Sequence, residues 1–155
     1  MENLEPSRNT QAFVDLLEEL KIPTIINCAN GGLKELKNVG KNIHYLHGIP
    51  YDWILPKIYA IIHHGGAGTT HLGLKYACPT MIIPHIADQY HWNSILSHKG
   101  LWPKGVAIGK VTKSSRLKEK IADLWSNSIY YENAQKMAAK MKEEDVEASF
   151  LSFLK

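Results

Sequence analysis

The sequence has few cysteines, no long apolar segment and no strong excess of charge, and each absence excludes a class of protein. Its two cysteines, Cys28 and Cys78, lie in separate apolar stretches, so neither a disulfide framework nor a CxxC zinc pattern is available. No run of about 18 apolar residues predicts a membrane-spanning helix, and the first residues lack the apolar region of a signal peptide. We therefore expect a reducing, cytoplasmic location.

The charge balance also narrows the class of partner. The net charge is +3, from 18 Lys and Arg against 15 Asp and Glu, which is far from the dense basic surface of a nucleic-acid-binding protein. It is compatible with a small anionic ligand. With 155 residues, 45% of them hydrophobic and 21% charged, the chain has the composition and size of one globular domain over 1–155 with its own core.

Short apolar segments alternate with amphipathic segments along the chain. Leu16, Leu17 and Leu20 follow Phe13 at helical spacing, whereas 22–28 is short, apolar and rich in β-branched residues, as in a buried strand. The patterns predict helices over 10–20, 51–56, 69–76, 89–98, 115–125, 130–142 and after 145, and strands over 22–28, 43–46, 59–63, 79–83 and 105–108. This alternation predicts an α/β fold with a Rossmann-like parallel sheet wrapped by helices. In such sheets ligands bind beyond the carboxyl ends of the strands.

A glycine-rich loop follows one of these strands and leads into a helix. The loop runs from His63 to Thr70 with the sequence HHGGAGTT. Glycines let the backbone approach a ligand closely, and the first N–H groups of the following helix attract a phosphate. The loop has neither the Lys-Ser or Lys-Thr of a Walker motif nor the third glycine of a dinucleotide motif. Taken alone, it fits equally a turn that only joins a strand to a helix.

Asp88 and Gln89 follow the next predicted strand, so their loop should open at the same sheet edge. A carboxylate next to an amide offers acceptors and a donor for sugar hydroxyls. The alternative is that Asp88 caps the helix that follows, which is a common role of aspartate.

Four histidines near these loops raise the alternative of a metal site. His63 and His64 are neighbours on a strand and point to opposite faces, and His85 and His91 are separated by a loop and a helix start. The spacing of these four histidines matches no standard zinc-binding pattern. We therefore expect no metal ion and no cofactor.

The motifs together resemble the C-terminal half of family 1 UDP-glycosyltransferases. The resemblance is carried by residues 49–56, 62–70, 73–80 and 84–89, a chain of motifs that is far more specific than one glycine loop. It is strongest over 43–110. The branch that the sequence is most similar to contains the sterol glucosyltransferases and the glycosyltransferases of glycopeptide antibiotics.

The resemblance implies the C-terminal, nucleotide-sugar-binding half of a two-domain GT-B enzyme. In the family, the positions of His64, Gly66, Ala67, Gly68 and Thr69 hold the diphosphate. The N-terminal acceptor-binding half, and the usual first strand of the C-terminal half, are implied to lie outside this chain.

The resemblance also places the sugar and the base. The positions of Asp88 and Gln89 contact the sugar, and those of Gly48 and Trp53 lie near the base. The implied reaction is inverting transfer of a hexose, most similar to glucose transfer from UDP-glucose, to a lipid or other hydroxyl acceptor such as a sterol. Through such an acceptor the resemblance also allows peripheral association with a membrane.

In the family the catalytic base is a histidine of the N-terminal half. We therefore expect no catalytic residue in this chain and no activity of the chain alone. Two organisations remain open: a fragment of one long enzyme, or a soluble donor-binding subunit that needs a separate partner chain.

Overall fold

The computed structural model describes residues 6–29, 32–113 and 115–143, which form alternating strands and helices. The elements, in chain order, are α1 (Pro6–Glu19), β1 (Thr24–Asn27), β2 (Ile43–Leu46), α2 (Tyr51–Ile54), a 3-10 turn (Leu55–Lys57), β3 (Ile61–His63), α3 (Ala67–Lys75), β4 (Thr80–Ile82), α4 (Ala87–His98), a second 3-10 turn (Ile108–Lys113), α5 (Arg116–Ser126) and α6 (Ser128–Glu143).

The strands form two parallel pairs. β1 pairs with β2 in a register that places Thr24 opposite Ile43, and β3 pairs with β4 with Ile61 opposite Thr80. Parallel pairs require crossover connections, which is why a helix or a long loop separates the two strands of each pair. The predicted parallel α/β architecture is confirmed, although the ladders formed by the described residues are two pairs rather than one continuous sheet.

Both pairs are held by one hydrophobic core. Ile26 and Ile43 from the first pair and Met81 from the second are all at most 5% exposed and belong to the same cluster. α1 contributes Phe13, Val14 and Leu17 to this core, and α5 contributes Leu117, Ile121 and Leu124. Burial of apolar side chains from every layer is what holds these short strands in place, because a two-stranded pair is marginal in water on its own.

Two sequence predictions about the carboxyl-terminal part are wrong. Residues 105–108 do not form a strand: Ile108 N–H donates to Pro84 O at 3.0 Å, but the N–H and C=O of Gly105 both bond to the side chain of Asn93 instead of a ladder. The apolar stripe Leu117, Ile121, Leu124 and Trp125 predicts a core position for Trp125, but Trp125 is 43% exposed and packs edge-on against Tyr59. The helix predicted after 145 lies outside the described residues. None of the described helices is both long and apolar enough to cross a membrane.

Candidate functional site

The glycine loop begins with a backbone turn that only glycine accommodates. Gly65 has φ +95, and a Cβ at this position would lie 2.5 Å from Ile82 Cγ2 on β4. Its N–H donates to His63 Nδ1 at 3.0 Å. The chain therefore leaves β3, turns against β4 and enters α3 within three residues.

The first turn of α3 presents backbone N–H groups without partners from the helix. The first intrahelical bond runs from Thr70 N–H to Gly66 O at 3.0 Å, and the Thr70 hydroxyl donates to the same oxygen. No side chain caps this helix, so the N–H groups of Ala67, Gly68 and Thr69 have no intrahelical acceptor. Together with the helix dipole they make a site that favours an anion.

Packing within the protein does not require a glycine at position 68. A Cβ there would meet no atom within 4 Å, and glycine costs about 0.5–1 kcal/mol relative to alanine inside a helix. The missing side chain instead leaves space directly above the exposed first turn. Such space is what a bound phosphate group requires.

His64 is exposed and lies across the loop. Its Nε2 would be 2.7 Å from a Cβ at Gly66, so the glycine lets the imidazole rest over the start of α3. The His85 ring lies 6.2 Å from it, centroid to centroid. Burial, and to a smaller degree the neighbouring His64, lowers the pKa of His85. Two imidazoles from consecutive loops therefore flank the same bend.

His63 has a structural position below the loop. Burial, with a smaller contribution from His64, lowers the pKa of His63 to about 3. Because Nδ1 accepts the Gly65 N–H, the proton of the neutral ring is on Nε2, and that buried nitrogen has no partner among the described residues. His63 is therefore neutral at physiological pH.

Asp88 and Gln89 lie in the first turn of α4, beside the glycine loop. The N-cap of α4 is Ile86, so Asp88 is not the cap, and its side chain is exposed. Gln89 is 8% exposed, and its Oε1 accepts the N–H groups of His85 and Ile86 at 2.7 and 3.1 Å. Gln89 thus orders the loop before α4, and its amide nitrogen stays available as a donor.

The two loops are in contact. A Cβ placed on Gly65 would lie 3.4 Å from Gln89 Cβ, and the strands that precede the loops are paired, with His63 opposite Ile82. The structure therefore brings the glycine loop and the Asp88–Gln89 turn together at the carboxyl ends of β3 and β4, as predicted.

The loop after β2 is held against the end of β1. Gly48 has φ +112, and its N–H donates to Asn27 Oδ1 at 3.2 Å. Asn27 Oδ1 also accepts the Ala29 N–H at 3.1 Å, which ties this loop to the end of β1. Trp53 follows on α2, where it is 55% exposed and stacks under Lys57 Nζ at 3.9 Å from the ring centroid.

No group of three or more His, Cys, Asp or Glu side chains within the described ranges is arranged to hold a metal ion.

Sequence reasoning weighed His63 only as a metal ligand and gave no role to Asn27. Both were missed because their partners are backbone N–H groups, which no side-chain motif reveals.

Solved structures show which fold this is. The described fold matches the glycosyltransferase SnogD from Streptomyces nogalater, with a TM-score of 0.73, 22% identity and 92% of this chain covered against 38% of that chain. It matches spinosyn forosaminyltransferase SpnP at TM-score 0.79 and 18% identity, over 99% of this chain and 40% of that one. Spinosyn rhamnosyltransferase SpnG, solved with thymidine diphosphate, matches at TM-score 0.78 and 17% identity, over 95% and 40% of the two chains. The fold is that of the C-terminal half of a GT-B glycosyltransferase.

The sequence comparisons give the family. Residues 11–149 match the family described as erythromycin biosynthesis protein CIII-like, C-terminal domain, and the chain belongs to that family. It is 35% identical to sterol 3-beta-glucosyltransferase UGT80A2 of Arabidopsis thaliana over 141 residues, which are 91% of this chain and 22% of that protein. It is 30% identical to the sterol 3-beta-glucosyltransferase of Pichia angusta over 145 residues, 90% of this chain and 11% of that protein. The resemblance seen in the sequence is confirmed, and the chain spans about a fifth or less of these two relatives.

Proposed function

We propose that this chain binds UDP-glucose as the donor-binding half of an inverting hexosyltransferase that acts on a sterol or another lipid hydroxyl. Two named relatives are sterol 3-beta-glucosyltransferases, and a neighbour of the same fold was solved with thymidine diphosphate. The acceptor-binding half, whether in the same polypeptide or in a partner chain, would close the site.

One observation carries the proposal: the uncapped first turn of α3, left open by Gly68 and covered at one side by His64. Its three N–H groups and the imidazole are donors for the diphosphate. Thr69 is half-buried in the same turn and adds a hydroxyl. Gly48 and the exposed ring of Trp53, whose positions in the family lie near the base, would contact the nucleoside in this proposal.

The chemistry follows from where the charge develops. When the acceptor oxygen attacks the anomeric carbon, its hydroxyl proton passes to the base expected in the acceptor-binding half, the bond from that carbon to the diphosphate breaks, and UDP leaves with the electron pair. The α3 N–H groups and His64 stabilise this growing negative charge, and they are positioned before the reaction begins. We propose that these donors supply the positive potential without a metal ion.

Asp88 and Gln89 hold the sugar in this proposal. The exposed Asp88 carboxylate is an acceptor for hydroxyl groups, and Gln89 offers the amide nitrogen that its own loop leaves unused. Both start from α4, whose first turn contacts the glycine loop, so the sugar would lie next to the diphosphate.

Titration calorimetry with UDP, UDP-glucose and TDP-glucose tests the proposal. We expect UDP to bind, UDP-glucose to bind more tightly than TDP-glucose, and His64→Ala to weaken UDP by about tenfold through loss of a charge-assisted hydrogen bond. The matched control is His98→Ala, at the opposite end of α4 and exposed, which should leave the affinity unchanged.

Equal loss of affinity in the two alanine variants, or no binding of any nucleotide, would refute the donor site. A preference for TDP-glucose would keep the site but change the donor.

We also expect no sugar transfer from UDP-glucose to a sterol by the chain alone, because the base belongs to the acceptor half. Robust turnover would contradict this.

A further inference from the structure

A second cavity, on the other side of the α4 start, has no part in the donor site. It has a volume of about 400 Å³ and is bounded by Tyr90, Asn93, the segment 104–107 and the first turns of α5. This volume is within the range of small-ligand sites, roughly 300–1,000 Å³. We call it the basic groove.

The lining of the basic groove is strongly one-sided in charge. Among the described residues, four cationic side chains line it, Lys104, Lys110, Arg116 and Lys120, and no carboxylate does. None of the four forms an ion pair or a side-chain hydrogen bond with any described residue. Four cations around one cavity, without an ionic partner in the described part of the chain, repel each other and create a local positive potential. An anionic ligand would relieve that repulsion.

Two carboxylates of the described residues line an adjoining hollow rather than the basic groove itself. This hollow of about 360 Å³ shares three of the cations and adds Glu119 and Asp123. The Asp123 carboxylate already accepts from the Tyr130 hydroxyl at 2.5 Å and from Asn127 Nδ2 at 3.1 Å. Burial and this hydrogen bond raise the pKa of Tyr130 to about 12, so the contact persists at physiological pH. Asp123 and the exposed Glu119 keep their negative charge and offset part of the positive potential, but the oxygens of Asp123 are occupied by Tyr130 and Asn127.

Hydrogen bonds hold the backbone at the floor of the basic groove in place. Asn93 is 3% exposed and holds Gly105 by two bonds, its Oδ1 accepting the Gly105 N–H at 3.0 Å and its Nδ2 donating to Gly105 O at 3.1 Å. A Cβ at Gly105 would clash with Ile82 O on β4. The backbone next to Lys104 is therefore pinned against the sheet.

The basic groove is separate from the donor site. Asp88 and Tyr90 flank the buried Gln89 in α4, and successive helical residues are 100° apart, so their side chains leave opposite sides of the helix. Tyr90, 47% exposed, lines the groove. Asp88 lies on the other side of Gln89. α5 also begins at the groove with Arg116, and the side chain of its N-cap Ser115 makes no capping hydrogen bond, so the positive end of the helix adds to the potential of the cations.

We propose that the basic groove is a binding site for a phosphate monoester, distinct from the diphosphate site on α3. A phosphate monoester carries about −1.5 to −2 charges at pH 7 and three acceptor oxygens, which suits several convergent cations and helix N–H groups better than a single carboxylate does. The same chemistry is present in a phospholipid headgroup and in a free phosphorylated metabolite. Tyr90 offers an apolar surface for the carbon skeleton that bears the phosphate.

The test follows backbone amide NMR shifts of the chain saturated with UDP while sn-glycerol 3-phosphate is added. We expect shifts at residues 104–110 and 116–120. The double variant Arg116→Glu with Lys120→Glu should weaken binding by about tenfold or more, since two charge-assisted contacts are lost. The matched control, Lys37→Glu with Lys136→Glu, changes the net charge equally at exposed positions elsewhere and should bind as the parent does.

A second arm measures co-sedimentation with phosphatidylcholine vesicles that contain phosphatidic acid. Groove-dependent sedimentation without glycerol phosphate binding would assign a lipid headgroup, and binding of both probes would assign a free phosphate ester as well. Binding of neither probe, shifts confined to the α3 loop, or equal loss in both double variants would overturn the proposal. Because shifts are located by residue, failure of UDP to bind at α3 would be recognised separately.

Discussion

The backbone N–H of Gly65 donates to Nδ1 of His63, two residues earlier, at 3.0 Å. This contact makes a buried neutral imidazole part of the turn that opens the glycine loop. Protonation at Nδ1 would remove the acceptor, and burial lowers the pKa of His63 to about 3. The loop geometry is therefore linked to the protonation of a residue that does not face the ligand.

This linkage predicts the pH dependence of stability. The unfolded His63 has an ordinary pKa near 6.5, so between about 6.5 and 3 the unfolded state binds more protons than the folded state and stability falls as pH falls. The loss approaches about 1.4 kcal/mol per pH unit, and His85, whose pKa is also lowered, adds in the same direction. Urea unfolding at pH 7.5, 6 and 5 measures it.

The variant His63→Asn keeps an acceptor for the Gly65 N–H but does not titrate. Its stability should fall less steeply over the same pH range. An unchanged slope in this variant would show that other groups produce the pH dependence.

Alanine substitutions at Gly65 and Gly68 should have different effects: the first should lower stability, and the second should lower ligand affinity. Gly65→Ala places a Cβ at positive φ and against Ile82, and should cost about 2–4 kcal/mol from the two effects together. Gly68→Ala meets no protein atom within 4 Å and should be neutral or stabilising by about 0.5–1 kcal/mol. Thermal melts and UDP titration of both variants provide the measurement. Undiminished UDP affinity in Gly68→Ala would remove the argument that its space holds a phosphate.

Asp88→Asn should distinguish the sugar from the nucleotide. The exposed carboxylate does not cap α4, so its loss should leave stability within about 0.5 kcal/mol. We expect UDP-glucose to bind about tenfold more weakly, as for a lost hydrogen bond to a charged group, and UDP to bind as before. Equal weakening of both ligands would place Asp88 at the diphosphate instead.

Asn93 should be a stability residue with a local effect on the basic groove. Asn93→Leu removes the two hydrogen bonds to Gly105 and leaves the N–H and C=O of Gly105 without these partners. The free energy of unfolding should fall by about 2–4 kcal/mol. Asn93→Asp keeps the acceptor for the Gly105 N–H and should lose less. Urea midpoints of the two variants order them, and an Asp variant as unstable as Leu would contradict the role of the bonds.

Chelation should not affect the donor site. The proposed donors for the diphosphate are N–H groups and an imidazole, so UDP affinity should be the same with EDTA and with added Mg²⁺ or Zn²⁺. A gain of affinity of about tenfold or more with a divalent ion would contradict the metal-free proposal.

The sequence was informative where a structure depends on local patterns. The period of Leu117, Ile121 and Leu124 predicted the buried face of α5, and the bend from His64 to Thr69 was located at the carboxyl end of a strand because glycines, a preceding apolar run and a following helix occur together. The order and parallel arrangement of β1 to β4 also followed from alternation.

The failures concern bonds between distant parts of the chain. The pattern of residues 105–108 is that of a strand, but Asn93, twelve residues earlier, takes the backbone groups that a ladder would use. Trp125 continues the apolar stripe of α5, yet Tyr59 meets it at the surface. Neither partner is visible from local spacing.

If the proposed site is correct, the side chain of Asn27 affects how two of its loops would respond to a bound nucleoside. A single oxygen atom, Oδ1, accepts N–H groups from both Ala29 and Gly48. The two loops are thereby mechanically joined, and any guest that immobilises one should slow hydrogen exchange at both amides in concert.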